Sequence, residues 1–379
     1  MKGLVSSKHV LVCMGPGGVG KTTAAAALGV LAARLGRRTL VCTIDPAPRL
    51  ADALGVPDLG PEPRPLDAAS RARLGIAEAG SLQAVRVDTD RVFARLVEEQ
   101  VADAGLRARI LANPMYRQMI ENLTGAQEYA ATLFLFELQR QNAYDLIIVD
   151  TPPTANALDF LDTPHRLAEA ISSPAVQWLA GRKDKTHRFS LQNLGMGGAL
   201  ILRRAGKLVG SQFLDDLGAF LLDVRDVLGA FLVRARQIET MLRQPDVGFL
   251  LVLTPETAAI NEALYLASHL RQTGTPLVGF VANRVVAPPG LFEAGTLAAE
   301  LEQLPAMATM PSDQITTAAR QLASLGNYLA HITEQQQREL DRLSAHAPGV
   351  PITRVPLQPH DVSNTESLKA VADCFGSAQ

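Results

Sequence analysis

Residues 13–23 read CMGPGGVGKTT. Gly15, Gly20, Lys21 and Thr22 meet the spacing G-x-x-x-x-G-K-[ST], the pattern of a phosphate-binding loop. The flanks agree with it. HVLVCM (9–14) is a short apolar run suited to a buried parallel strand. TAAAALGVLAARLG (23–36) is rich in alanine and leucine, good helix formers, and Gly36 is placed to stop the helix. Strand, glycine loop and helix is the order that phosphate binding needs. Gly15, Gly17, Gly18 and Gly20 let backbone N–H groups approach phosphate oxygens, with Val19 and Thr23 in the same cradle. The helix N-terminus adds a favourable dipole. In such a loop Lys21 reaches the β- and γ-phosphates and Thr22 ligates Mg2+.

Composition bounds the rest. The chain has 379 residues, enough for one large core or two domains. Its formal net charge is −2 and no long Lys/Arg run occurs, so nucleic acid is not an expected partner. Hydrophobic residues make up 47%, yet no uninterrupted apolar run reaches the roughly 18 residues of a spanning helix. MKGLVSSKHV is expected to lead directly into the first strand, leaving no room for a signal peptide, and the expected location is cytoplasmic. The segment NTESLKAVADCFGSAQ (364–379) has one lysine and no basic amphipathic face, so a stable membrane anchor is not expected. The three cysteines, Cys13, Cys42 and Cys374, form no CxxC pair, and the first two fall in strand-like runs as small hydrophobes.

Strand-like runs recur at 39–45 (TLVCTID), 82–88 (LQAVRVD), 144–150 (YDLIIVD), 247–256 (VGFLLVLTPE), 277–284 (LVGFVANR) and 351–357 (PITRVPL). Helical stretches lie between them. This alternation predicts an α/β fold with a doubly wound, mostly parallel sheet. Residues 91–140 and 167–243 read as helical insertions, and one domain over 1–379 fits better than two. Within the second insertion, apolar residues from Phe213 to Leu232 recur at helical spacing. That stripe has two readings, packing on the sheet or lining a groove for an apolar helix.

In such sheets ligands sit at the carboxyl ends of strands. Asp45, Asp150 and Asn283 close three of the runs. Asp150 follows LIIV, where a carboxylate holds Mg2+ through water opposite Thr22. Asp45 is placed to orient the attacking water, with a turn role as the competing reading, since Asp-Pro starts turns well. The amide of Asn283 offers a donor and an acceptor, which suits the adenine edge. A guanine site would want an aspartate where Val286 stands, so ATP is the expected nucleotide.

Together these segments resemble the ArsA-type ATPases, within the MinD/ParA-like class of phosphate-loop dimers. The likeness rests on GPGGVGKTT (15–23), DPAPRLADALG (45–55), DTPPTANALDFL (150–161), TPETAAINEA (254–263), VANRV (281–285) and VPLQPHDV (355–362). The resemblance implies an ATP-hydrolysing homodimer that closes on ATP and reopens after hydrolysis, handling a protein or hydrophobic client. It implies Lys21 and Thr22 on phosphate and Mg2+, Asp45 on water, Asp150 in the magnesium shell and Asn283 on adenine. An arsenite-pump subunit and a ParA/MinD-like positioning ATPase are the alternatives. The sequence also departs from the family. Relatives carry an early loop lysine where this chain has Pro16, which has neither charge nor N–H. Arg49 is the candidate substitute. Thiols for a metalloid cargo are lacking, and so is a zinc-binding CxxC at a dimer seam.

Overall fold

The computed structural model describes residues 1–121, 125–151, 163, 166, 169, 217, 219–288, 293–307 and 309–377. Residues 152–161 of the DTPPTANALDFL segment and residues 170–216 of the second insertion lie outside them.

The sheet has eight strands. They are β1 (Val10–Met14), β2 (Arg38–Thr43), β3 (Arg64–Pro65), β4 (Ser81–Arg86), β5 (Leu146–Asp150), β6 (Val247–Leu253), β7 (Leu277–Val285) and β8 (Ile352–Pro356). Their order is β3-β4-β2-β5-β1-β6-β7-β8. Every pairing is parallel except β3 with β4. β1, β5 and β6 are buried along their whole length, which is why they read as continuous apolar runs rather than alternating ones. The chain leaves β1 toward β2 and β4 and later returns to its other side through β6. β1 is thus the switch point beside which ligands bind in open α/β sheets.

One face of the sheet carries α1 (Lys2–Ser7), α2 (Lys21–Arg34), α3 (Arg49–Leu54) and the late helix that we label α13 (Thr365–Ser377). The short α1 precedes β1, so the N-terminus does not run straight into the first strand as the sequence suggested. α2 is buried on nearly every side, from Ala24 to Ala33. Its alanines allow close approach to the sheet, while Leu368, Val371, Ala372 and Phe375 of α13 join the same core.

The other face carries α5 (Thr89–Gln100), α6 (Ala104–Ala112), α7 (Pro114–Glu121), α8 (Ala126–Gln141), α9 (Arg225–Leu242) and α10 (Thr257–Gln272), with the end of α12 (Ser312–His346). The short α4 (Ala68–Arg73) follows β3, and α11 (Ala294–Glu302) packs against α12. Asp88 and Asp103 accept N–H bonds at the starts of α5 and α6, satisfying donors that a helix end leaves open. Phe93, Tyr129 and Phe231 stack with centroids 5.4–6.1 Å apart and lock α5, α8 and α9 together. Arg234 adds ion pairs to Glu99 and Glu137 across the same three helices. In the described part of the 213–232 stripe, Phe220, Leu221, Val224, Val227 and Phe231 are buried in this core. Packing is therefore the reading that holds there, while Phe213 and Leu214 lie outside the described residues.

Candidate nucleotide-binding site

A cleft of about 420 Å3 opens at the carboxyl ends of β1, β2, β5 and β7. Its wall includes Gly18, Gly20, Lys21, Thr22, Thr23, Asp45, Arg49 and Asn283. Sequence-distant residues are brought together by register. β2 pairs with β5 so that Thr43 lies beside Asp150, and Cys13 lies beside Asp150 from the other strand.

The glycines of the loop have physical causes. Gly15 has φ +145°, and a Cβ there would lie 2.0 Å from the Val252 carbonyl oxygen. Gly20 has φ +95°, and a Cβ there would lie 2.3 Å from Asn283 Nδ2. Bare backbone is needed at both places. The first intrahelical bond of α2 runs from the Ala24 N–H to the Gly20 carbonyl at 2.9 Å. The N–H groups of Lys21, Thr22 and Thr23 precede that ladder at the cleft wall, as an anion site at a helix N-terminus requires.

Lys21 is buried, and its Nζ donates to the carbonyls of Gly15 at 2.9 Å and Pro16 at 2.8 Å. Burial lowers its pKa, and the charges of Asp150 and Glu262 oppose that shift. Pro16 thus supplies an acceptor that holds the lysine inside the loop. Thr22 Oγ1 donates to Asp150 Oδ2 at 2.8 Å, and Thr43 Oγ1 donates to the same oxygen at 3.1 Å. Thr43 Oγ1 also accepts the Asp45 N–H at 3.2 Å. A chain of contacts therefore joins the phosphate loop to the ends of β5 and β2. Asp45 uses Oδ1 to accept the Ala47 N–H at 2.9 Å, while Oδ2 lies 3.5 Å from Arg49 Nη1. Its turn contact and its place in the cleft coexist. Asn283 donates Nδ2 to the Val19 carbonyl at 2.8 Å, which leaves its Oδ1 and second N–H for other partners. The backbone shifts register after Ala282, where Arg284 takes φ +59°, and this bulge carries Asn283 into the cleft wall.

The cleft gathers Lys21, Thr22, Asp45 and Asn283 as the sequence suggested, with Asp150 beneath Thr22. The site also holds residues that sequence reasoning did not single out, among them Thr43, which is no part of the cleft wall but bonds Asp150. Thr43 was hidden because only the β2–β5 register gives it a role. Gln358 and His360 come from the loop after β8, already noted as VPLQPHDV, and Arg284 adjoins Asn283.

Asp150 is buried, and among the described residues its Oδ1 has no hydrogen-bond partner. Burial pushes its pKa from an ordinary 3.8 up to about 6, against the pull of the two threonine hydroxyls and Lys21. A hard divalent cation fits this donor set, which consists of carboxylate and hydroxyl oxygens with one carboxylate oxygen unsatisfied. The folded pKa lies above the unfolded one, so between about pH 4 and 6 the native state holds a proton that the unfolded chain has lost. The group's contribution to stability is greatest below pH 4 and disappears as pH rises through 6. A rise of this size is worth about 3 kcal/mol at 1.36 kcal/mol per unit. Without divalent cations, Asp150→Asn should therefore gain on the wild type in melting temperature between pH 5 and pH 7. Parallel curves over that range would defeat the assignment.

Cys13 and Cys42 are buried, and burial pushes both thiols up. Among the described residues no group of three or more His, Cys, Asp or Glu side chains is placed to hold a metal ion. Nor is any helix long and apolar enough to cross a membrane.

Residues 8–183 match the model of a family described as anion-transporting ATPase, ArsA. A putative arsenical pump-driving ATPase of Aquifex aeolicus is 25% identical over 280 residues, 73% of this chain and 63% of that one. An uncharacterized protein of Streptomyces coelicolor is 37% identical over 163 residues, 43% of this chain and 39% of its own length. The ATPase GET3 of Malassezia globosa is 23% identical over 280 residues, 74% of this chain and 73% of that one. The match thus spans less than two thirds of the first two relatives.

Proposed function

We propose that the chain, whose residues 8–183 match the ArsA family model, binds and hydrolyses ATP as a homodimeric switch in the cytoplasm. Its cycle couples nucleotide state to a protein or hydrophobic client. The observation that carries the reading is the continuous set of contacts Lys21–loop, Thr22–Asp150–Thr43 and Thr43–Asp45, which ties the phosphate cradle to two strand ends.

The residues act as follows. The N–H groups at the start of α2 and the Lys21 ammonium bind the phosphates. Thr22 and Asp150 would hold Mg2+, Asp150 through water. When bound, that ion neutralises charge developing on the phosphates. Asp45 orients the attacking water and accepts its proton, and the product is ADP plus phosphate. Asn283 contacts the adenine through the groups that its bond to Val19 leaves available.

Cargo chemistry favours a protein client over arsenite. As(III) wants soft thiolates, whereas two of the three cysteines are buried in strands and protonated.

The test is phosphate release, followed by a trap. Asp45→Asn should lower turnover by about 10²–10⁴-fold, the range for a general base, while retaining ATP affinity. That variant, purified with ATP and Mg2+, should retain client proteins with apolar helices that a Lys21→Ala control lacks; mass spectrometry identifies them. Wild-type protein with no phosphate release above the Lys21→Ala background would refute the ATPase reading. A closed dimer recovered without any client would refute the client half alone.

A further inference from the structure

We propose that Arg49 contacts the phosphates of the bound nucleotide, and that it gives up Asp45 to do so. This rests on the ATPase reading above.

One oxygen of Asp45, Oδ1, is engaged by the Ala47 N–H at 2.9 Å. The other, Oδ2, lies 3.5 Å from Arg49 Nη1. A carboxylate that takes a proton from water needs an oxygen turned toward that water. Oδ2 is the oxygen available for it, and Arg49 sits upon it.

Charge balance supplies the second strand. A nucleoside triphosphate brings about four negative charges, and a divalent cation offsets two. The cleft wall adds Asp45, Asp52 and Asp361, with Asp150 beneath. Against these, the arginines and lysine of the wall are Lys21, Arg49 and Arg284. Lys21 is one charge, already held by two carbonyls. Arg284 adjoins Asn283, at the end assigned to the base. Arg49 lies beside Asp45, at the phosphate end, and Pro16 brings no charge to the loop.

The third strand is exchangeability. The Arg49 side chain is 62% exposed and its contact with Asp45 is long. Exposed pairs of this kind are weak and screened by salt. A phosphate offers more charge and a geometry that a guanidinium meets with two parallel bonds. The exchange is therefore downhill when a triphosphate enters. It also frees Asp45 Oδ2 at the moment when water must be oriented. Triphosphate arrival and base availability become one event.

The experiment uses the full chain with Mg2+–ATP and Mg2+–ADP as probes. Arg49→Ala should lower kcat at least tenfold, toward the roughly 10³–10⁵ that an arginine on a transferred phosphoryl group can reach. It should weaken ATP binding in calorimetry more than ADP binding. Arg49→Lys should recover part of both. The deciding measurement is the Asp45→Asn background, in which Arg49 has lost its carboxylate partner. If Arg49 binds phosphate, adding Arg49→Ala there still costs ATP affinity. If Arg49 acts only through Asp45, the second substitution changes nothing and the proposal is overturned. An unchanged kcat in Arg49→Ala, with an active wild type, overturns it as well. A wild type without turnover defeats the ATPase reading instead, and the calorimetry still decides the Arg49 contact.

Discussion

Lys21→Ala is expected to remove ATP turnover while leaving the protein folded. The Nζ makes its bonds within its own loop, to the carbonyls of Gly15 and Pro16, so its removal breaks no bond between distant elements. The stability change should therefore be small, within a few degrees of melting temperature. The chemical loss should be large. A preorganised donor aimed at developing charge is worth roughly 10²–10³ in rate, and this one carries a full charge in a buried setting. Affinity should fall too, by about 10–10²-fold, the effect of losing about 1.5–3 kcal/mol of charge-assisted hydrogen bonding. Phosphate release, ATP calorimetry and a thermal melt on one preparation check all three. A variant that melts like the wild type and still turns over ATP at a tenth of its rate would contradict the assignment.

Gly15→Ala should damage the fold itself. The new Cβ would be placed 2.0 Å from the Val252 carbonyl oxygen and 3.1 Å from its carbon. Both are backbone atoms, fixed by the parallel pairing of β1 with β6. Overpacking costs about 1–3 kcal/mol and a disfavoured backbone conformation about 1–3 more. The sum, about 2–6 kcal/mol, compares with a usual total stability of about 5–15 kcal/mol. Gly18→Ala is the control. Its φ is +77°, but among the described residues nothing lies within 4 Å of a Cβ there. It should cost only the local strain, about 1–2 kcal/mol. Urea midpoints of the two variants separate the collision from the dihedral, and equal midpoints would show that β6 yields.

The sheet was legible because its central strands are apolar throughout and its helices punctuate them. All seven strand-like runs became strands, with boundaries shifted by up to three residues. β3 escaped notice, since two residues, one of them Pro65, carry no periodicity. Lys21, Thr22 and Asp45 stood out because phosphate chemistry restricts residue type at fixed spacing. Thr43 did not. Its hydroxyl matters only because β2 and β5 pair in a register that no local pattern encodes. Asn283 was singled out, but its bond to Val19 was not, because that contact spans 264 positions. Contacts of this kind depend on how strands are ordered, which sequence spacing does not reveal.

The late helix α13 has a consequence for the order of synthesis. Residues 365–375 cover α2, made about 330 residues earlier, and residues 357–363 wall the cleft whose floor is the phosphate loop. A growing chain therefore produces the loop and its alanine-rich helix long before their cover exists. Until then an apolar surface waits without its partner, a substrate for chaperones and a hazard for aggregation. A chain stopped before residue 351 would carry the whole phosphate motif and still lack one wall of its nucleotide cleft. Nucleotide binding by a nascent chain would then report that residues 351–375 had been made, rather than the presence of the motif alone.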